Sequence, residues 1–271
     1  MRRFSPEYLD RTRRGMWADD REALSDLELD SRESVLDVGC GTGELTRVLA
    51  EETSPETRLL GIDADRDLLR VARDRNPERV STCVGDATRI PLRDDSVDLL
   101  ACQALLINLP DPRAAVREFA RVSSDLVATV EPNNADVGVS STVEREKRLE
   151  REAREAYLDG VGTNVALGDR VRELFRREGF RDVTVRRYLH EKRVAPPYSE
   201  RSMEAAVRKA SGSGLDEHRA ELEAALSPEA YEDLKGRWRS MGREVIDDMQ
   251  AGEYERVEVV PFEVTVGRVP S

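Results

Sequence analysis

Lysine is scarce in this chain. Of 43 basic side chains only Lys147, Lys192, Lys209 and Lys235 are lysine, and acids outnumber bases to leave a net charge of −12. Many acids with few lysines describe a protein that stays hydrated in concentrated salt, where the Debye length falls to about 3 Å and self-repulsion is screened. The composition is read as that of a halophile. No basic run stands clear of acids, so a general electrostatic grip on nucleic acid is disfavoured. Histidine is rarer still. His190 alternates with Thr184, Arg186 and Tyr188 on a face read as solvent-directed, and His218 lies in the charged stretch Asp216-Glu217-His218-Arg219. Neither is placed for catalysis. Cys40, Cys83 and Cys102 form no paired spacing, so neither a disulfide framework nor a zinc site is suggested. No stretch approaches the ~20 apolar residues that span a bilayer. Met1-Arg2-Arg3-Phe4-Ser5-Pro6 leads into no apolar signal region. A cytoplasmic protein without a membrane partner is expected.

What the chain does have is a glycine turn between two apolar segments. Val35, Leu36 and Val38 form a short run suited to a buried strand, Gly39, Gly41 and Gly43 follow, and Leu45, Val48 and Leu49 then recur at helical spacing. Strand, glycine turn and helix place a nucleotide-like ligand at a helix N-terminus. A dinucleotide loop would need a third glycine at position 44, which is Glu44, and an anion there opposes a pyrophosphate. S-adenosylmethionine carries no phosphate but a sulfonium and an ammonium, which Asp37 and Glu44 would favour.

The stretch V-L-D-V-G-C-G-T-G, from Val35 to Gly43, resembles the first motif of the class I S-adenosylmethionine-dependent methyltransferases throughout. The resemblance implies a cofactor site built on Asp37, Gly39, Cys40, Gly41, Thr42 and Gly43. It extends to Asp63-Ala64 after a second strand, where the family's acid meets the ribose, while Asp65 reads as the cap of the helix from Arg66 to Arg75. Asp86-Ala87 after a third strand resembles the pair beside the adenine; a turn aspartate closing its own loop is the plainer alternative. Cys102-Gln103 ends a fourth strand, where the family meets the methionine part. Leu105 to Pro112 resembles the family's segment with histidine replaced by Asn108. A helix from Arg113 to Arg121 is expected to bury Ala114, Val116, Phe119 and Ala120, ahead of a fifth strand that ends at Glu131.

The expected fold is α/β: a doubly wound, seven-stranded, mostly parallel Rossmann-like sheet, with an N-terminal helix and a helical insert before the last strand. One domain is expected, with an N-terminal helical cap in 1–32, a cofactor core in 33–134, helices and strand six in 135–195, the insert in 196–254 and the last strand in 255–271. Residues 4 to 28 read as helical, either over the cofactor mouth or along a sheet edge. Residues 142 to 158 read as a solvated charged helix. Tyr231, Leu234, Trp238, Met241, Val245 and Met249 recur at helical spacing as a core stripe.

The resemblance implies methyl transfer to a small-molecule acceptor, an aromatic or quinone-like one by analogy with the quinone-biosynthesis methyltransferases. Such transfer is an in-line displacement that rests mainly on positioning. Glu131 and Asp111 are better placed by topology than the histidines, but no residue is assigned as base. The alternatives are a cofactor-binding module with a protein partner, an RNA methyltransferase and an NAD-dependent oxidoreductase; a homodimer stays open.

Overall fold

The apolar run 34–38 is a strand buried along its whole length, and a helix starts at Glu44, immediately after the third glycine. The computed structural model describes residues 4–270 apart from Arg14 and Asp19. Met1 to Arg3 and Arg14, part of the expected N-terminal region, therefore lie outside the described residues. The first elements are α1 (Pro6–Arg13), β1 (Ser34–Val38), α2 (Glu44–Glu52), β2 (Arg58–Asp63), α3 (Arg66–Arg75) and β3 (Val80–Val84). Next come β4 (Val97–Gln103), α4 (Pro112–Val122), β5 (Ser123–Pro132), β6 (Gly138–Ser141), α5 (Glu144–Gly160) and α6 (Gly168–Arg177). The chain closes with β7 (Arg181–Val194), α7 (Glu200–Ser211), α8 (Ser213–Asp216), α9 (Arg219–Ala225), α10 (Pro228–Ala251) and β8 (Arg256–Arg268).

The strands form one mixed sheet in the order β3-β2-β1-β4-β5-β8-β6, with β7 also pairing β8. The β1, β2, β3, β4 and β5 pairings are parallel, and β8 runs antiparallel to β5. This is the expected doubly wound sheet with an antiparallel last strand. It holds eight strands rather than seven. The additional strand, β6, is four residues of Gly-Val-Ser-Ser paired with the first part of β8.

By its contacts the chain divides into two compact units. One takes in the chain to Asn133, Ala166–Tyr188 and the chain from Phe262 onward; the other comprises Asn134–Val165 and Leu189–Pro261. The first is packed around Leu36, Val38, Ile62, Leu100, Phe119 and Phe175. Helix α4 contributes Ala115, Val116, Phe119 and Val122, so Ala114 and Ala120 of the expected set are only half-buried. Asp65 caps α3 as its sequence suggests, accepting from the N–H groups of Asp67 and Leu68, and Asp111 caps α4, accepting from those of Arg113 and Ala114.

The second unit gathers 135–165 with most of the expected insert. Tyr231, Leu234, Trp238, Met241, Val245 and Met249 all face its core. Helix α5 departs from the solvated reading, because Glu146, Leu149, Ala153 and Ala156 are buried. Glu146 accepts from Ser141 Oγ at 2.5 Å and from Tyr254 OH at 3.1 and 3.0 Å, and it also pairs with Lys209. A buried carboxylate with that many partners is what a charged sequence pattern hides. His190 is a second correction. It is 3% exposed rather than solvent-directed, and desolvation lowers its pKa to about 4. The expected helix over 4–28 is shorter than expected: α1 ends at Arg13, and a 3-10 turn covers Glu22–Leu27.

Candidate active site

The glycine turn is pinned between two strands. The N–H groups of Gly39 and Cys40 both donate to Ile62 O, at 2.7 and 3.0 Å. Gly41 N–H donates to Asp63 Oδ2 at 2.9 Å, while Asp63 Oδ1 accepts from Asp65 N–H at 2.8 Å. Each Asp63 oxygen keeps a lone pair for a ligand hydroxyl. Gly43 caps α2 with φ +84°, a left-handed conformation that side chains resist. A Cβ on Gly41, also left-handed, would stand 3.0 Å from Leu9 Cδ1, so α1 approaches the bare backbone there.

These residues wall a cavity of about 550 Å³. Gly39 and Gly41 form one side, Asp63 to Leu68 another, and Gly85 with Ala87 a third. Ala104, Leu105 and Asn108 come from the segment after β4, and Phe4, Leu9 and Arg13 from the N-terminal region. Asp10 holds α1 to α3 through a two-pronged pair with Arg75, at 2.5 and 3.0 Å. Arg13 brings a guanidinium into a site of carboxylates. Desolvation lowers its pKa, and Asp37, Glu131 and Asp63 act against that shift. Asp63 is itself pushed up by burial, with the Asp65 and Gly41 amides pulling the other way.

Among the residues singled out from sequence, Gly39, Gly41, Asp63, Ala64 and Ala87 line the cavity. Asp37, Cys40, Thr42, Gly43, Cys102 and Gln103 are not wall residues. Asp37 is buried and accepts from Thr46 Oγ1 at 2.5 Å; burial raises its pKa to about 6. Cys40 packs against Gly61, and burial holds the Cys40 and Cys102 thiols well above their ordinary range, which removes them as nucleophiles. Gln103 Oε1 accepts from Trp17 Nε1 at 2.9 Å. Asp86 Oδ1 accepts from Thr88 N–H and Oγ1, at 2.8 and 2.7 Å, within its own turn. Glu44 pairs with Arg47 at 3.1 Å.

Sequence reasoning missed Arg13 and Leu9 as wall residues, and it assigned Glu131 no task. Glu131 is fully buried and accepts from three successive backbone amides, Leu105, Leu106 and Ile107. It anchors a loop and is not itself a wall residue. No sequence spacing announces that, since the partners lie on the neighbouring strand's exit.

Residues 36–125 match the family model described as a methyltransferase domain. Methyltransferase GfsG of Streptomyces halstedii is 38% identical over 101 residues, 35% of this chain and 36% of its own. The demethylmenaquinone methyltransferase of Listeria welshimeri is 32% identical over 106 residues, 38% of this chain and 45% of its own. The chain thus spans less than half the length of the curated relatives it matches. A putative methyltransferase from Bacillus halodurans shares the fold, with a TM-score of 0.53 and 16% identity over 94% of this chain and 100% of that one. The segment 36–125 accordingly resembles a methyltransferase domain, on a fold shared with a methyltransferase structure.

Proposed function

We propose that the whole chain is an S-adenosylmethionine-dependent methyltransferase acting on a small-molecule acceptor. The observation that carries the reading is Asp63: a carboxylate fixed by Gly41 and Asp65 amides at the edge of the 550 Å³ cavity, one strand from the glycine turn. The donor set fits the cofactor. Asp63 can accept from the ribose hydroxyls, and Gly39 and Gly41 leave room for the methionine part beside them. Three buried atoms behind or on the wall have no hydrogen-bond partner among the described residues: Asp37 Oδ1, Gln103 Nε2 and Asn108 Oδ1. Two acceptors and one donor suit the cofactor's ammonium and carboxylate, and Arg13 adds a cation for the latter. Ala64 and Ala87 complete an apolar seat for the adenosine, with Cys40, Thr42, Gly43 and Cys102 as its support. The bound cofactor supplies an electrophilic methyl group on sulfur. The chain's part is to exclude water and align the acceptor, and positioning of that kind reaches effective molarities of ~10⁵ to 10⁸ M.

An aromatic, quinone-like acceptor is the finer reading, supported by the similarity to the demethylmenaquinone methyltransferase over 38% of the chain. The acid-rich, lysine-poor composition supports a salt-rich cytoplasm as its setting.

Calorimetric titration with S-adenosylhomocysteine in molar KCl tests the cofactor. Asp63→Ala removes two charge-assisted bonds to the ribose, worth ~1.5–3 kcal/mol each, and is expected to weaken binding by about 100-fold or more. Wild-type affinity retained in that variant would refute the assignment. Labelled-methyl transfer into fractionated lysate separates an enzyme from a module that only binds cofactor.

A further inference from the structure

The segment that leaves β4 hangs on one carboxylate. Glu131 stands next to the last residue of β5 and is 0% exposed. Its Oε1 accepts from the N–H groups of Leu105 at 3.0 Å and Leu106 at 2.8 Å, and its Oε2 from that of Ile107 at 3.2 Å. Successive amides converging on one anion form a nest that needs the negative charge to hold its shape. The residue before it, Ala104, has φ +48°, a conformation that a side chain adopts only when its surroundings impose it. The residues after it close a 3-10 turn, Leu106–Asn108.

That segment shapes the cavity. Ala104, Leu105 and Asn108 are wall residues, and Leu105 is packed so closely on the glycine turn that a Cβ on Gly39 would stand 2.7 Å from its Cδ1. Asn108 Nδ2 donates to Ala104 O at 2.8 Å, which fixes the amide and leaves Oδ1 as the end without a partner among the described residues.

We propose that Glu131 is a positioning residue: its ionised carboxylate holds 104–108 in the shape that seats the cofactor against the glycine turn. This rests on the S-adenosylmethionine reading above. A protonated Glu131 would turn one acceptor oxygen into a donor facing N–H groups, so one of the three amides would lose its partner and the wall would loosen. Burial places that protonation within reach, raising the pKa to about 7 while the three amides and Arg13 oppose the shift. Cys102 Sγ of β4 lies 3.9 Å from Oε1. Glu263 stands opposite on β8 and is paired with Arg187 of β7 at 3.0 Å.

The test uses the full chain in about 2 M KCl, with S-adenosylhomocysteine as the probe and hydrogen exchange read at the amides of 105–107. Wild-type affinity is expected to fall about tenfold between pH ~8.5 and ~6, together with protection of those amides after correction for intrinsic exchange. Glu131→Gln is expected to bind about tenfold more weakly near pH ~8.5, with a shallower profile that leaves only the fall Asp37 imposes near pH ~6, and with faster exchange. Glu131→Asp, which keeps the charge, is expected to restore part of both the affinity and the pH dependence. Wild-type affinity and slope in Glu131→Gln, with protection unchanged, would overturn the proposal. A wild-type chain that binds no S-adenosylhomocysteine at any pH overturns the cofactor reading instead, and the exchange arm then decides by itself whether Glu131 holds the segment.

Discussion

Asp37 carries the sharpest consequence at the scale of single residues. It is a buried acid with one oxygen bonded to Thr46 and a pKa raised to about 6 by desolvation. The folded state therefore holds its proton to a higher pH than the unfolded state does. Between the ordinary aspartate value near pH ~4 and about 6, rising pH removes stability, and the loss is complete above that window. Asp37→Asn is expected to flatten this arm of the Tm–pH profile, so that its Tm relative to wild type rises from pH ~4 to ~7 and then holds. A difference that does not change with pH would show that Asp37 has no such linkage. Residues of this kind differ in how visible they are in sequence. Asp63 was legible because it is the first acid after an apolar strand, a position that topology alone sends to the ligand. Asp86 was legible as an acid after a strand, while its bonds to Thr88 were not announced by any spacing. Arg13 and Glu131 act through segments far apart in the chain, and no local pattern encodes that convergence.

Among the elements, α5 separates charge from exposure. Its run of Glu and Arg looks solvated, yet Glu146 is buried with Ser141, Tyr254 and Lys209 around it, and Arg256 lies 3.4 Å away. Replacing such a group by an apolar one strands its partners. Glu146→Leu is expected to cost about 3–5 kcal/mol in urea unfolding, because Tyr254 OH would lose its acceptor in the interior and Lys209 would keep only Glu150. A cost below ~1 kcal/mol would mean that water reaches those partners easily. The apolar stripe of α10 was legible because a spacing of three and four needs no partner to be read. Strand β6 was not, since Gly-Val-Ser-Ser has no alternation and exists only as a rung beside β8. The doubly wound, mostly parallel character of the sheet was legible from the repeated strand and helix signals. The second unit's core was legible in α10 and hidden in α5.

For the whole molecule, a net charge of −12 sets the expected response to salt. Self-repulsion at low ionic strength acts over a Debye length of about 10 Å at 0.1 M and is nearly lost at 1 M. Scanning calorimetry from ~0.1 to ~2 M KCl is expected to raise the Tm; about 2 kcal/mol of relieved repulsion corresponds to roughly 4–8 °C in a chain near this size. A Tm that stays level or falls would count against the halophile reading. The surface pairs are mainly arginine with acid, such as Arg237 with Glu152 at 2.5 Å, and salt will weaken these as it relieves the net charge. Connectivity adds a last consequence. The chain changes unit four times, at Asn133, Val165, Tyr188 and Pro261. A protease cut at any one of these junctions leaves the two units covalently joined, and neither can be expressed alone as one continuous fragment. Only the removal of 134–165 and 189–261 together, with both gaps bridged, would show whether the first unit folds by itself.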